Sequence, residues 1–201
     1  MSSWRQLIER AKPTEHVVQL YGGDDQLLTD NVTRYLLEGL KRGDGLLMIA
    51  TPEHREAIVR RLCVEGAGAK AAIESGRLML LDARETLDRF MVEEQPDWAL
   101  FERIVNGLCQ ELRSRVGGRG IRAFGEMVGL LWEDGAYAAA IRLEEYWNRL
   151  LEANAICLFC AYPIDLFSPD FELPRLQALL GTHTHLLAGS ATLLSSVGPA
   201  R

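Results

Sequence analysis

Residues Arg122-Ala123-Phe124-Gly125-Glu126-Met127-Val128-Gly129-Leu130-Leu131-Trp132 read as the end of a buried strand, a glycine turn and the start of a short helix. Ala123 and Phe124, with Ile121 ahead of them, are apolar and strand-like. Gly125 is free to take the backbone angles of a strand-to-helix turn. Glu126 then falls in the first helical turn, where the helix dipole favours a carboxylate. Met127, Leu130 and Leu131 recur at i, i+3 and i+4, which makes an apolar stripe that packs back onto a sheet. An ionisable side chain is thereby presented at the carboxyl end of a strand, the edge of an open α/β sheet where ligands bind. Glu126 either meets a ligand there or only caps its own helix, and these residues alone leave both readings open.

The same alternation extends in both directions. Upstream, His16-Val17-Val18-Gln19-Leu20-Tyr21 predicts a first strand, Gly22-Gly23-Asp24-Asp25 a turn, and residues 27–41 a helix carrying Leu28, Val32, Tyr35, Leu36 and Leu40. Residues 46–51 and 77–82 predict two more strands, and Pro52 suits the first turn of the helix between them. Leu87, Phe90 and Met91 predict a short helix, and Pro96-Asp97 opens a long one with Phe101, Val105, Leu108 and Leu112 inward. Downstream come a helix over 137–152, a strand around Cys157, a loop punctuated by Pro163, Pro169 and Pro174, a helix near 176–180 and the closing stretch 182–187. Residues 2–11 predict an amphipathic helix with Trp4, Leu7 and Ile8 on one side.

Strands alternating with helices, several of them continuously apolar, predict a mostly parallel sheet covered on both faces. The expectation is a single three-layer α/β domain over 14–190, with an N-terminal helical extension at 1–13 and a C-terminal tail at 191–201.

Composition narrows the function classes. With 201 residues, 48% of them apolar, the chain can bury one proper core. A net charge of −6 and a pI near 5.3 argue against direct nucleic-acid binding, which needs a basic stripe. No apolar run approaches the roughly 20 residues of a membrane span, and Met1-Ser2-Ser3-Trp4-Arg5-Gln6 lacks a signal-peptide pattern. The expected location is cytoplasmic. Cys157 and Cys160 have a C-x-x-C spacing, but on a strand residues three apart face opposite ways. They read as small buried residues rather than a metal or disulfide pair.

Catalytic signatures are missing. Tyr21-Gly22-Gly23-Asp24-Asp25 sits where a phosphate-binding loop would, yet it has two acids and no lysine, and the acids would repel a triphosphate. There is no G-x-S-x-G elbow. His183 and His185 would share a face if 182–187 is a strand, so a metal pair is conceivable, but no third ligand is evident. Neither a metal nor a cofactor is expected. The side chains that collect at the carboxyl edge are Tyr21, Asp24, Thr51, His54, Asp82, Glu126 and Tyr162, with Trp132 close by. Aromatic walls with a few polar groups suit a small organic ligand, and no nucleophile–base–oxyanion set assembles.

Several stretches together resemble a known family: His16 to Tyr21; Ile49-Ala50-Thr51-Pro52-Glu53-His54; Gly76-Arg77-Leu78 with Leu81-Asp82-Ala83; Phe90-Met91 before Pro96-Asp97; Arg122 to Val128; Leu143-Glu144-Glu145-Tyr146-Trp147-Asn148; and Cys160-Ala161-Tyr162-Pro163. Over about residues 14–188 the chain resembles the MEDS domain, the methanogen/methylotroph DcmR sensory domain. The resemblance implies a RecA/KaiC-like core with a decayed phosphate loop and a role in sensing small hydrocarbon derivatives. It also implies an output through a histidine kinase or transcription regulator in trans, or through self-association. Carried over by motif, the pocket or signature residues are His16, Tyr21, His54, Arg122, Glu126, Trp147, Cys160 and Tyr162, with Trp147 read as core. Asp24 joins the ligand set from the edge reading.

The resulting expectation is a non-enzymatic sensor that binds a small organic molecule at the sheet edge. The alternatives are residual KaiC-like nucleotide binding and a pure protein-interaction module. On the sensor reading, Glu126→Ala abolishes ligand-induced stabilisation while sparing the fold.

Overall fold

The computed structural model describes residues 8–9, 11–22, 24–65, 68–165 and 173–188. Six strands, β1 (His16–Leu20), β2 (Gly45–Ala50), β3 (Leu78–Asp82), β6 (Ile121–Gly125), β7 (Ile156–Tyr162) and β8 (His185–Ala188), form one sheet in the order β3-β2-β6-β7-β1-β8. Every pairing in it is parallel. Strands β1, β2, β6 and β7 are buried along their whole length. That explains their continuous apolar sequences, since a parallel sheet is covered on both sides.

Side-chain alternation sorts these strands onto two cores. Val17, Met48, Phe124, Cys157 and Phe159 face α1 (Asp25–Arg42) and α2 (Pro52–Glu65), meeting Leu28, Val32, Tyr35, Leu36, Ile58 and Leu62. Val18, Leu20, Leu47, Ile49, Ala123, Leu158 and Cys160 face the other layer. Helix α3 (Ala69–Glu74) joins the first core through Ala69 and Ala72, and the other layer is built from the helices that follow: α4 (Ala83–Asp88), α5 (Trp98–Phe101), α6 (Gly107–Val116), α7 (Met127–Glu133), α8 (Tyr137–Asn154) and α9 (Leu173–Leu180). The three-layer α/β expectation holds. Cys157 and Cys160 lie in opposite cores, and all four cysteines are free thiols.

Local chemistry sets the boundaries. Asp24 caps α1 by accepting the Leu27 N–H at 3.0 Å, and Gly43 closes it in a left-handed conformation, φ 76°. Asp97 caps α5 by accepting the Leu100 N–H at 2.9 Å. Helix α7 lies so close to β7 that a Cβ on Gly129 would stand 2.7 Å from the Ala161 carbonyl oxygen.

Some local expectations change. The helix predicted through Phe90 and Met91 ends at Asp88. Met91–Val92 (β4) instead pairs antiparallel with Gln95–Pro96 (β5). Glu93 and Glu94 turn this hairpin with positive φ, 47° and 64°, the two-residue geometry that matches strand twist. The long helix after Asp97 is interrupted by a π-helical turn, Glu102–Asn106. Pro174 lies within the first turn of α9 rather than in the loop before it, while Pro169 lies outside the described residues. Ile8 and Glu9 are helical, and Ile8 is buried in the core beside α1. Trp4, Leu7 and the 191–201 tail lie outside the described residues. Among the described residues, no helix is long and apolar enough to cross a membrane.

Candidate functional site

At the carboxyl edge, the turn after β6 delivers Glu126 to the ends of its neighbours. Of the two readings left open for Glu126, the capping one is not met: Glu126 precedes α7 and makes no side-chain bond to it. Its Oε2 accepts the backbone N–H of Thr51 at 2.7 Å, and its Oε1 lies 2.5 Å from His54 Nδ1. The strand β2 and the start of α2 are thus tied to β6 by one nearly buried carboxylate, 4% exposed.

The far nitrogen of His54, Nε2, lies 3.6 Å from Asp25 Oδ1, and the Tyr21 ring stands edge-on to the imidazole at 6.0 Å. His54 is held above its ordinary range. Its hydrogen bond to Glu126 is the largest influence and outweighs partial burial, and Asp25 adds to it. Burial, followed by the charges of Glu126, Glu133 and Asp25, pushes the Tyr21 phenol up. The arrangement is an imidazole flanked by acids beside a half-buried aromatic ring. It can donate a hydrogen bond or proton from Nε2 to a ligand oxygen. An open cleft of about 300 Å³ lies beside the end of β3, lined by Arg55, Leu80, Leu81, Asp82 and Arg89 but not by Tyr21, His54 or Glu126.

A second constellation is buried on one sheet face under α8. Glu144 projects from that helix with no exposure. Its Oε1 accepts the Tyr162 hydroxyl at 2.7 Å and stands 3.1 Å from His183 Nε2. Its Oε2 lies 3.3 Å from His16 Nε2 and 3.8 Å from Cys160 Sγ. Burial is the largest influence on Glu144 and raises its pKa, but His183, His16 and the Tyr162 hydroxyl together outweigh it and hold the group at about 2. Burial dominates at His16 and draws it down to about 4, against the pull of Glu144. Burial also lowers His183, but Glu144 more than offsets this and leaves it raised. Glu144 thus lies between two imidazoles, one drawn below and one held above the ordinary histidine range.

Arg122 belongs to neither group. It lies near the amino end of β6 on the opposite sheet face. There its guanidinium donates to Asp44 Oδ2 at 3.3 Å, to the Ile8 and Tyr35 carbonyls at 3.2 and 3.4 Å and to the Glu9 carbonyl at 3.2 Å. It also lies over the Tyr35 ring, 5.0 Å from the centroid. These contacts fasten the segment around Ile8 to the sheet.

The predicted ligand residues thus fall in separate places. Tyr21, His54 and Glu126 meet at the edge; Asp24 stands beside them as the cap of α1. His16, Cys160 and Tyr162 meet inside the molecule. Tyr162, read as part of the edge wall, points inward to Glu144, although its ring contacts Trp132 at 5.5 Å. The conceived His183–His185 pair does not form, because β8 starts at His185 and His183 precedes it. His185 instead faces Glu15 at 3.6 Å.

Sequence reading carried Glu144 and Asn148 only within a family motif, and His183 only as half of a conceivable metal pair with His185, and gave none of the three a place in this cluster. The available signal was Glu144 itself, a charged residue on the stripe Ala140, Leu143, Trp147 and Leu151, where a buried helix face admits a charge only with a partner. Nothing local marks His183.

A family model described as "MEDS: MEthanogen/methylotroph, DcmR Sensory domain" matches residues 15–184. No curated protein matches the chain.

Proposed function

The chain belongs to the MEDS family of sensory domains, and from that premise we propose that it is a non-enzymatic cytoplasmic sensor whose small organic ligand binds at the carboxyl edge of the sheet. The observation that carries the reading is the Glu126–His54 contact, with Tyr21 edge-on to the imidazole. It sets a polar donor against an aromatic wall at the end of a parallel sheet, the usual place for a ligand in such folds. The imidazole's ring partners are carboxylates rather than a nucleophile, which supports binding over catalysis. Asp24 caps α1 where a nucleotide's phosphates would need the helix N–H groups, and Asp25 adds charge of the same sign as a phosphate. That favours an organic ligand over a nucleotide. The signal then passes to a partner in trans, a histidine kinase or transcription regulator, or to a second copy of the chain.

A thermal-shift screen tests this, comparing small alcohols, aldehydes, halogenated alkanes and aromatic acids with magnesium–ATP. A ligand at 100 times its Kd adds about 2.7 kcal/mol. The expected result is a shift with an organic compound that is lost in Glu126→Gln. A shift with ATP alone would replace this reading by nucleotide binding.

A further inference from the structure

The buried cluster under α8 has a geometry that an ion pair alone does not require. The Nε2 atoms of His16 and His183, a carboxylate oxygen of Glu144 and Cys160 Sγ all lie within 4.8 Å of one another. The close edges are 3.1 Å from His183 Nε2 to Glu144, 3.2 Å from His16 Nε2 to Cys160 Sγ, 3.3 Å from His16 Nε2 to Glu144 and 3.8 Å from Cys160 Sγ to Glu144. A tetrahedron built on zinc bond lengths of roughly 2.0–2.3 Å has ligand-to-ligand edges of about 3.3–3.7 Å. The four contacts lie near that spacing, His183 facing Glu144 Oε1 and His16 and Cys160 facing Oε2, and the remaining pairs stand within 4.8 Å.

Their outer partners orient them as metal ligands are oriented. His16 Nδ1 lies 2.8 Å from Asn148 Oδ1, and Asn148 Nδ2 in turn donates to the Thr182 carbonyl at 2.8 Å. His183 Nδ1 lies 2.9 Å from the Leu179 carbonyl and 2.9 Å from Thr182 Oγ1. A neutral imidazole that donates from Nδ1 carries its lone pair on Nε2. With both imidazoles neutral the two lone pairs converge on a carboxylate, an arrangement that a cation at its centre satisfies, and this Nδ1-to-oxygen support is the usual second shell of a histidine ligand. The His183 side chain is 1% exposed, and its buried Nε2 has no hydrogen-bond partner, the Glu144 oxygen lying outside hydrogen-bond geometry.

From this geometry we infer that His16, Glu144, Cys160 and His183 form a closed, four-ligand site for a zinc-like divalent cation. Such a cation departs from the sequence expectation of no metal. The donor set of two imidazoles, one thiolate and one carboxylate suits zinc or cobalt rather than magnesium or calcium, which take oxygen ligands. Cys160 coordinates as thiolate, its proton leaving to solvent, and both imidazoles coordinate as neutral groups. Two negative ligands then balance the ion's two positive charges, so no net charge is buried. With four protein ligands the site is structural, since a catalytic zinc keeps one position open. The ion joins β1, β7 and α8 to the segment between α9 and β8, which supplies His183.

The test uses the full chain, stripped with a chelator and titrated separately with Zn²⁺ and Co²⁺. One equivalent of either should bind, with a rise in melting temperature. The cobalt form should show a thiolate-to-metal charge-transfer band that is lost in Cys160→Ser and retained in Cys157→Ser, whose side chain lies on the other face. Asn148→Ala, a positioning variant, should weaken zinc about 10–100-fold while the charge-transfer band survives at saturating metal. If Cys160→Ser does not fold, His183→Gln replaces it, with at least tenfold weaker binding expected. A folded wild-type chain that binds neither ion at one equivalent overturns the inference. So does a charge-transfer band that depends on Cys157.

Discussion

Glu126, just past the end of β6, accepts the backbone N–H of Thr51, just past the end of β2, at 2.7 Å. This contact is buried, so removing the carboxylate leaves an amide without its acceptor and His54 without its counter-ion. Glu126→Ala is expected to cost about 1–3 kcal/mol of stability. Glu126→Gln keeps an oxygen for Thr51 and should lose less. Urea denaturation of both variants checks the difference, and equal losses would remove the backbone bond from the account.

The His54–Glu126 contact predicts a pH dependence of definite sign. His54 is raised in the folded chain from its ordinary 6.5. Its contribution is therefore fully present below pH 6.5 and is lost as pH rises through the elevated folded value. The stability difference between wild type and His54→Gln, measured by urea denaturation from about pH 5.5 to about pH 9, should shrink with rising pH. A difference that grows over that interval would mean that folding favours the neutral imidazole.

Two glycines inside helices should respond oppositely to alanine. At Gly129 a Cβ would meet the Ala161 carbonyl oxygen at 2.7 Å. Neither backbone can retreat cheaply, so Gly129→Ala is expected to cost about 1–3 kcal/mol despite better helix propensity. Gly107, at the start of α6, is exposed with nothing within 4 Å of its Cβ position. Gly107→Ala should add about 0.5–1 kcal/mol. Thermal melts of the pair give the two signs directly.

Thiol reactivity should separate the cysteines. Burial pushes Cys109 up to about 12 and Cys157 up to about 11. Cys160 is also buried, while Cys63 is partly exposed. A thiol reagent should therefore modify one residue quickly in the native chain and all four after unfolding, as counted by mass spectrometry. Fast native labelling at Cys160 would contradict its place under α8.

The fold was legible because its strands are buried on both faces and its helices are periodic. Those two patterns placed β1, β2, β3, β6 and β7 within a residue or two. The hairpin after α4 was not legible, since Glu93 and Glu94 reveal nothing of their positive φ in a sequence. Of the candidate site, Glu126 and His54 were found together because each follows a strand in the same parallel sheet, and such positions share an edge. The buried cluster was only half legible. His16, Cys160 and Tyr162 came by resemblance, but their common partner Glu144 lies on a helix and His183 enters from the far end of the chain. Nothing in local spacing reports that convergence, which depends on β8 pairing with β1. Arg122 came by resemblance as a pocket residue, but its guanidinium packs against Tyr35 and the Ile8 segment, away from the His54 group.

Strand β1 is the earliest described strand in the chain, yet its ladder partners are β7 and β8, and 168 positions separate His16 from Thr184, which clasps it. On a ribosome, β1 has no partner until nearly everything else has been made. The remaining strands β2, β3 and β6 can associate while Val17 and Val18 wait, exposed to chaperones or to other nascent chains. Closing so long a loop makes the final step of assembly slow in a chain of this size. The same step brings His16 to Glu144 and His183, so the interior cluster cannot exist before the last strand docks.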